Sequence, residues 1–129
     1  MEIVGVYGTL KRGFGNHRLL ETADFLGECI FSGAEMYTNG GFPIVFDGKN
    51  EILGEVYRVN PTIMRILDVL EGEGSMYKRR QIPVRVLQPK QDLTAWVYFG
   101  VPKFWESSMK SNRIRLVPAD QGIQRFARK

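Results

Sequence analysis

The stretch EILGEVYRVNPTIMRILDVLEG, residues 51–72, decides the fold because it joins a strand to a helix across a clear boundary. Residues 51–59 are rich in β-branched and aromatic side chains, which favour a strand. Asn60 and Pro61 are typical of the N-cap and first position of a helix, and Gly72 is typical of the residue that ends one. The sequence therefore predicts a β-strand over 51–59 and an α-helix over 60–72.

The predicted helix carries one apolar stripe, spaced i, i+3, i+4, i+7 and formed by Ile63, Ile66, Leu67 and Leu70. Such spacing places side chains on one helix face, which we expect to be buried. Glu71 follows Leu67 by four residues, so it lies at the edge of the stripe and can face the interior or the mouth of a cavity. Asp68 is expected to point well away from the stripe.

Glycine and proline divide the rest of the chain into short β-rich segments. We expect strands over 2–7, 24–38, 44–46, 81–88 and 93–101. Gly27 and Gly33 are candidate bulges, the Asp47–Gly48 pair predicts a hairpin turn over 47–50, and residues 73–80 are expected to form a loop. Many strands with one firm helix favour an α+β fold, in which an antiparallel or mixed sheet curls toward a barrel with helices outside.

Charge divides the 129 residues into two parts. Residues 1–105 contain 12 basic and 12 acidic side chains, so the whole net charge of +4 lies in residues 106–129. We therefore expect one domain over 1–105 and a basic tail over 106–129. A neutral body argues against nucleic acid as the partner. The tail is either a solvated segment, which we favour, or a contact for an acidic partner.

Several classes of protein are excluded by what the sequence lacks. No apolar run approaches the roughly 20 residues that a membrane span needs, and MEIVGVY does not resemble a signal peptide. The lone Cys29 cannot form an internal disulfide, which fits a cytoplasmic protein, and we expect a structural thiol. With one histidine, His17, and one cysteine, a metal site is not expected.

Two segments are candidates for chemistry, each with a plainer alternative. The loop GTLKRGFG, residues 8–15, either forms an anion-binding nest of backbone N–H groups or is only a tight turn. Glu71 lies at a helix C-terminus beside Asp68 and Glu73, where burial, the helix dipole and the nearby acid would raise its pKa. It is therefore either a general base or a solvated residue at a frayed helix end.

The order of several motifs resembles the gamma-glutamylcyclotransferase-like family, and most closely its gamma-glutamylamine cyclotransferase branch. The motifs are VYGTLKRG (6–13), GFPIVFDG (41–48), LGEVYRV (53–59), ILDVLEG (66–72), MYKRRQIPV (76–84) and AWVYFG (95–100). The resemblance covers roughly residues 3 to 100. It implies a small mixed β-barrel or strongly curled sheet with flanking helices.

The resemblance also implies a reaction and its residues. A γ-glutamyl group closes to 5-oxoproline and releases the attached amine or amino acid, and no cofactor is needed. Tyr7, Gly8, Thr9 and Leu10 would grip the substrate largely through their backbone, Glu71 would be the general acid and base, and Tyr77 would line the pocket. The alternative is a non-catalytic relative that binds a small γ-glutamyl-like ligand or a partner protein.

Overall fold

The computed structural model describes residues 1–127, which form seven strands, two α-helices and one short 3₁₀ helix at His17–Leu20. The strands are β1 (Glu2–Val6), β2 (Asp24–Thr38), β3 (Pro43–Val59), β4 (Tyr77–Leu87), β5 (Lys90–Gly100), β6 (Arg115–Leu116) and β7 (Ile123–Gln124). The helices are α1 (Pro61–Leu70) and α2 (Pro102–Lys110).

All seven strands belong to one mixed sheet in the order β6-β2-β4-β5-β1-β3-β7, and a further pairing of β2 with β3 closes it into a ring. β1 is antiparallel to β3 and parallel to β5. The ring is not a continuous barrel, because β2 and β4 pair only at Cys29 with Val86 and Ile30 with Arg85. The predicted α+β fold with a strongly curled mixed sheet and flanking helices is confirmed, and Cys29 is buried as expected.

The longest pairing in the sheet is the β2–β3 hairpin, and it corrects the prediction of a turn over 47–50. β3 runs without a break from Pro43 to Val59, and Ala34 in β2 faces both Asp47 and Asn50, so the intervening residues bulge out of the strand. The turn of this hairpin lies at residues 39–42, within the NGGFP segment whose glycines also predict one, and the Asn39 side chain there accepts hydrogen bonds from two backbone N–H groups. The register also shifts beside Gly27 and Gly33, which confirms both predicted bulges.

Helix α1 has the predicted caps but buries a different face. The Asn60 side chain accepts a hydrogen bond from the Ile63 N–H, and Pro61 occupies the first turn. The buried side chains are Ile63, Met64 and Leu67. Ile66 and Leu70 are 44% and 40% exposed, so the predicted stripe is wrong for half of its members. The helix is turned so that Met64 meets the sheet, and this rotation brings Asp68, one turn further on, toward the sheet as well.

The predicted loop over 73–80 is too long, because β4 already begins at Tyr77. β5 extends to Gly100, and Tyr77 pairs with that residue at the start of the β4–β5 ladder. Residues 77–80 therefore have strand partners that the local sequence does not reveal, while residues 71–76 connect α1 to β4.

The C-terminal part of the chain adds two short strands to the sheet. The expected boundary between residues 105 and 106 falls inside α2, and β6 and β7 pair with β2 and β3. Ile114, Gln124 and Phe126 are buried, whereas the basic side chains at 110, 113, 115 and 125 are exposed. Arg128 and Lys129 lie outside the described residues. No helix within residues 1–127 is long and apolar enough to cross a membrane.

The buried side chains form two clusters, and β1 contributes to both. Val4 and Val6 belong to the first cluster, which α1 and α2 cover through Leu67 and Trp105. Gly5, between the two valines, faces the second cluster, which is built mainly from β2, β3, β4 and β5. The end of β1 therefore lies between the two clusters and close to the C-terminus of α1.

Candidate active site

A pocket of about 260 Å³ opens where the end of β1 meets the end of α1. Its lining residues are Gly5, Val6, Tyr7, Gly8, Thr9, Leu10, Asn16, Gly41, Phe42, Pro43, Leu70, Glu71, Met76, Tyr77 and Tyr98. All six site residues expected from the sequence are among them. The structure thus brings the loop after β1, the C-cap of α1 and the first residue of β4 around one cavity.

Gly8 is required in this loop because its backbone lies against Pro43. A Cβ at Gly8 would approach Pro43 Cγ to 2.7 Å and Cδ to 2.8 Å, closer than side chains come. The chain then turns tightly, and the Lys11 N–H donates to the Gly8 carbonyl at 3.0 Å. The absence of a side chain thus lets the backbone run close under the pocket.

The same turn leaves several backbone donors free. The N–H groups of Gly8, Thr9 and Leu10 donate no hydrogen bond to any residue between 1 and 127. Asn16 holds the loop from behind, since its backbone N–H donates to the Thr9 carbonyl and its side chain to Thr9 Oγ1. Buried or half-buried N–H groups without partners are costly, so they mark a place where an oxygen of a ligand would be stabilised.

Glu71 occupies the C-cap of α1, and its backbone N–H donates to the Leu67 carbonyl at 2.9 Å. Gly72 follows with a φ of 57°, which ends the helix in the left-handed conformation that glycine favours. The Glu71 carboxyl is half-buried and forms no hydrogen bond or ion pair within residues 1–127. Burial raises its pKa from 4.5 to about 7, so at neutral pH it can both accept and return a proton.

Three tyrosines surround Glu71, and each hydroxyl is already used as a donor. Tyr7 donates to the Tyr98 carbonyl (2.6 Å), Tyr77 to the Pro43 carbonyl (3.1 Å) and Tyr98 to Asp68 Oδ1 (2.7 Å). Burial raises the pKa of all three tyrosines, and the charge of Glu71 raises each pKa further, so the hydroxyls stay neutral. A tyrosine that donates elsewhere offers a ligand only an acceptor oxygen.

The profile of the family described as "Gamma-glutamyl cyclotransferase, AIG2-like" matches residues 4–117. The chain belongs to this family. Two curated relatives carry related names. Rat gamma-glutamylaminecyclotransferase is 37% identical over 101 residues, which are 68% of this chain and 66% of the rat protein. The gamma-glutamylcyclotransferase family protein YtfP of Escherichia coli is 32% identical over 77 residues, which are 60% of this chain and 68% of YtfP.

Solved structures of gamma-glutamyl cyclotransferase, AIG2-like proteins have the same fold. The crystal structure of an AIG2-like protein from mouse superposes with a TM-score of 0.71 at 27% identity and covers 100% of this chain and 97% of the mouse chain. The description of the family and the names of these relatives together support gamma-glutamylcyclotransferase activity in general.

Sequence reasoning missed one tyrosine that lines the pocket of this family member and the aspartate that holds its hydroxyl. Tyr98 lines the cavity, but spacing alone did not distinguish it from the other tyrosines. Asp68, expected to point away from the buried stripe, instead accepts the Tyr98 hydroxyl and lies 3.0 Å from Nε of Arg79. That expectation was wrong because the helix buries Met64, four residues before Asp68. The sequence did contain a signal for this contact: Asp68 is a charged residue on a helix that packs against the sheet, and Arg79 lies near the start of β4.

The lining of the pocket is nearly neutral. Glu71 is the one carboxyl among the lining residues, and none of them is lysine, arginine or histidine. Within residues 1–127 no group of three or more histidine, cysteine, aspartate or glutamate side chains could hold a metal ion. The chemistry available from these side chains is proton transfer at Glu71 and hydrogen bonding by backbone N–H groups and tyrosyl oxygens.

Proposed function

We propose that the protein converts a γ-glutamyl amine into 5-oxoproline and a free amine, with Glu71 as general acid and base. One observation carries the proposal: a half-buried carboxyl with a pKa near 7 shares a small pocket with three backbone N–H groups, and neither the carboxyl nor these N–H groups have a hydrogen-bond partner within residues 1–127. An intramolecular acyl transfer needs a proton acceptor and an oxyanion site, but no enzyme nucleophile.

The reaction moves two protons from the α-nitrogen to the departing nitrogen and exchanges one C–N bond for another. The α-ammonium of the γ-glutamyl group gives a proton to Glu71, and the resulting amine attacks the γ-carbonyl carbon. A C–N bond forms, which closes the five-membered ring, and the carbonyl oxygen becomes an oxyanion near the N–H groups of residues 8–10. Glu71 then gives its proton to the departing nitrogen, the C–N bond to that nitrogen breaks, and Glu71 is a carboxylate again. The ring nitrogen still carries a surplus proton, which it gives to this carboxylate, and Glu71 passes the proton to the released amine, which leaves as an ammonium ion.

The tyrosyl oxygens complement this scheme. Because the hydroxyls of Tyr77 and Tyr98 donate to protein acceptors, their oxygens favour a group that donates hydrogen bonds. An α-ammonium is such a group, and it would lie beside the Glu71 carboxylate that takes its proton. The site thus orients the nucleophile by acceptors on one side and the electrophile by donors on the other.

The lining also favours one class of leaving group. Among residues 1–127, no lysine, arginine or histidine lines the pocket, so a leaving amino acid would find no cation for its carboxylate there. Leu70, Phe42 and Met76 instead offer apolar surface. We therefore propose γ-glutamyl amines, rather than γ-glutamyl dipeptides, as the preferred substrates.

The test is a panel of γ-glutamyl amines, γ-glutamyl-ε-lysine and γ-glutamyl dipeptides with 5-oxoproline release as the readout. The wild-type protein is expected to release 5-oxoproline, and Glu71→Gln is expected to lose about 10²- to 10⁴-fold in rate. Glu73→Gln, at an exposed carboxylate two residues away, is the matched control. Equal rates for Glu71→Gln and wild type would remove Glu71 from the mechanism.

The non-catalytic alternative makes a different prediction in the same experiment. A folded wild-type protein that releases no 5-oxoproline from any substrate, yet melts at a higher temperature with a γ-glutamyl amine, would support a binding function for the pocket.

A further inference from the structure

The C-terminal segment, residues 118–127, contacts the loop that carries the free N–H groups, although it lies beyond the region matched by the family profile, residues 4–117. We propose that this segment holds the loop in its substrate-binding shape, and that Lys11 and Phe126 are positioning residues for the reaction. The proposal rests on the proposed function, because the loop is taken to bind the γ-glutamyl oxygen.

Two contacts join the segment to the loop. Lys11 Nζ donates a 2.7 Å hydrogen bond to the Phe126 carbonyl. The Phe126 ring packs on the Phe14 ring with centroids 5.4 Å apart, and Lys11 Nζ lies 5.4 Å from the centre of the Phe14 ring. Lys11 is therefore half-buried against the segment, and burial lowers the pKa of its ammonium.

The segment is itself firmly attached to the sheet on its other side. The Gln124 side chain is fully buried. Its amide oxygen accepts a hydrogen bond from the Met36 N–H at 2.7 Å, and its amide nitrogen donates to the Met36 carbonyl at 3.1 Å and to the Val117 carbonyl. β7 also pairs in parallel with Glu51 and Ile52 of β3. A segment held in this way can act as a fixed support for the loop, because its position is set by β2 and β3 and not by the loop.

Lys11 connects the C-terminal segment to the part of the loop that carries the backbone N–H donors of residues 8–10. Its backbone N–H closes the turn on the Gly8 carbonyl at 3.0 Å, while its side chain reaches the Phe126 carbonyl. Thr9 and Leu10 lie between these two fixed points. Loss of the side-chain contact would leave the turn intact but free to tilt, and small errors in the placement of oxyanion donors reduce the rate of the chemical step more than they reduce binding.

The experiment compares Lys11→Met and Phe126→Ala with wild type in the full chain, using kcat and KM per folded molecule. Lys11→Met removes the donor but keeps the length of the side chain, and kcat is expected to fall about tenfold with KM within about twofold. Lys11→Arg, which restores a donor, is expected to recover most of kcat. Lys103→Met, at an exposed lysine of α2, is the matched control.

A second readout does not depend on activity. Amide hydrogen exchange of residues 8–15 is expected to accelerate in Lys11→Met and in Phe126→Ala, while exchange in β5 is unchanged. Wild-type kcat together with wild-type exchange in both variants would overturn the proposal. If wild type itself forms no 5-oxoproline, the proposed function fails, and the exchange rates alone decide whether the segment holds the loop.

Discussion

The Tyr98 hydroxyl donates a 2.7 Å hydrogen bond to Oδ1 of Asp68, and the same carboxylate oxygen lies 3.0 Å from Nε of Arg79. Asp68 therefore fixes the direction of the hydroxyl proton, so that the Tyr98 oxygen presents only lone pairs to the pocket. Arg79 stacks over the Trp96 ring at 4.2 Å and holds the carboxylate from the far side. A chain of contacts thus runs from the protein surface to the pocket wall.

Tyr98→Phe is expected to weaken substrate binding because it removes one of the acceptors proposed for the α-ammonium. We expect KM to rise about tenfold, and the free energy of unfolding to fall by about 1 kcal/mol, the usual effect of losing one hydrogen bond. Steady-state kinetics and thermal unfolding measure both. Tyr57→Phe is the control, since Tyr57 donates to Glu55 and does not line the pocket. A KM that rises equally in both variants would contradict the assignment.

The pH dependence of kcat/KM should report the ionisation of Glu71. Burial raises the pKa of this carboxyl to about 7, and a general base must be ionised in the free enzyme. Activity should therefore fall as the pH drops below about 7, with a slope of one proton. A rate profile for 5-oxoproline release between pH 5 and 9 checks this. An acid limb near pH 4.5 would mean that an ordinary, solvated carboxylate controls the reaction.

Glu71→Gln should make the protein more stable at alkaline pH. A carboxyl whose pKa is raised on folding is protonated more easily in the folded state, so wild-type stability should decline as the pH rises from about 4.5 to about 7 and then level off. The decline should be at most about 3 kcal/mol. Urea unfolding at pH 4 and pH 8 is the measurement. Glutamine cannot ionise, so its gain over wild type should appear at pH 8 and vanish at pH 4.

Gly8→Ala should damage the loop without unfolding the protein. The new Cβ would lie 2.7 Å from Pro43 Cγ, so either the proline or the loop must move. Overpacking of this kind costs about 1–3 kcal/mol of stability, and kcat/KM should fall more than tenfold because the N–H groups shift. Gly15→Ala is the control, because a Cβ there meets no atom within 4 Å. Equal kinetics for the two variants would show that backbone approach at Gly8 is unimportant.

Leaving-group preference should follow from the pocket lining, to which the described part of the chain contributes no cation. We expect a larger kcat/KM for γ-glutamyl amines than for γ-glutamyl dipeptides, since an unpaired carboxylate is costly to desolvate. Leu70→Arg, which adds a cation at a residue that is 40% exposed and lines the pocket, should narrow this ratio about tenfold. Val69→Arg, one residue away but outside the lining, is the control. A wild-type preference for dipeptides would contradict this account of specificity.

Sequence patterns predict those features of the structure that depend only on residues close together in the chain. Asn60, Pro61 and Gly72 fix the ends of α1 through capping, and the spacing from Leu67 places Glu71 at the pocket. The continuous strand through residues 47–50 could not be predicted, because an Asp-Gly pair also suits a bulge once a long partner strand lies opposite. Which of Ile66 and Met64 is buried depends on how the helix meets the sheet.

The pocket could be predicted only in part for the same reason. The loop after β1 and Glu71 lie in recognisable motifs, whereas Tyr98 and Asp68 become neighbours only when β5 lies beside β1 and α1 packs above them. The contact of Lys11 with Phe126 joins residues 115 positions apart, and no local pattern marks it. Long-range contacts of this kind need coordinates.

The parallel pairing of β1 with β5 sets the order in which the protein can assemble during synthesis. The β2–β3 hairpin has a short turn and can close early, and β1 can add to β3 once residue 59 is available. Val4 can pair with Trp96 only when most of the chain has been made. Tyr98, which lines the pocket, reaches its position at the same stage. A nascent chain therefore carries its N-terminal loop and Glu71 for some time before the third tyrosine closes the cavity around them.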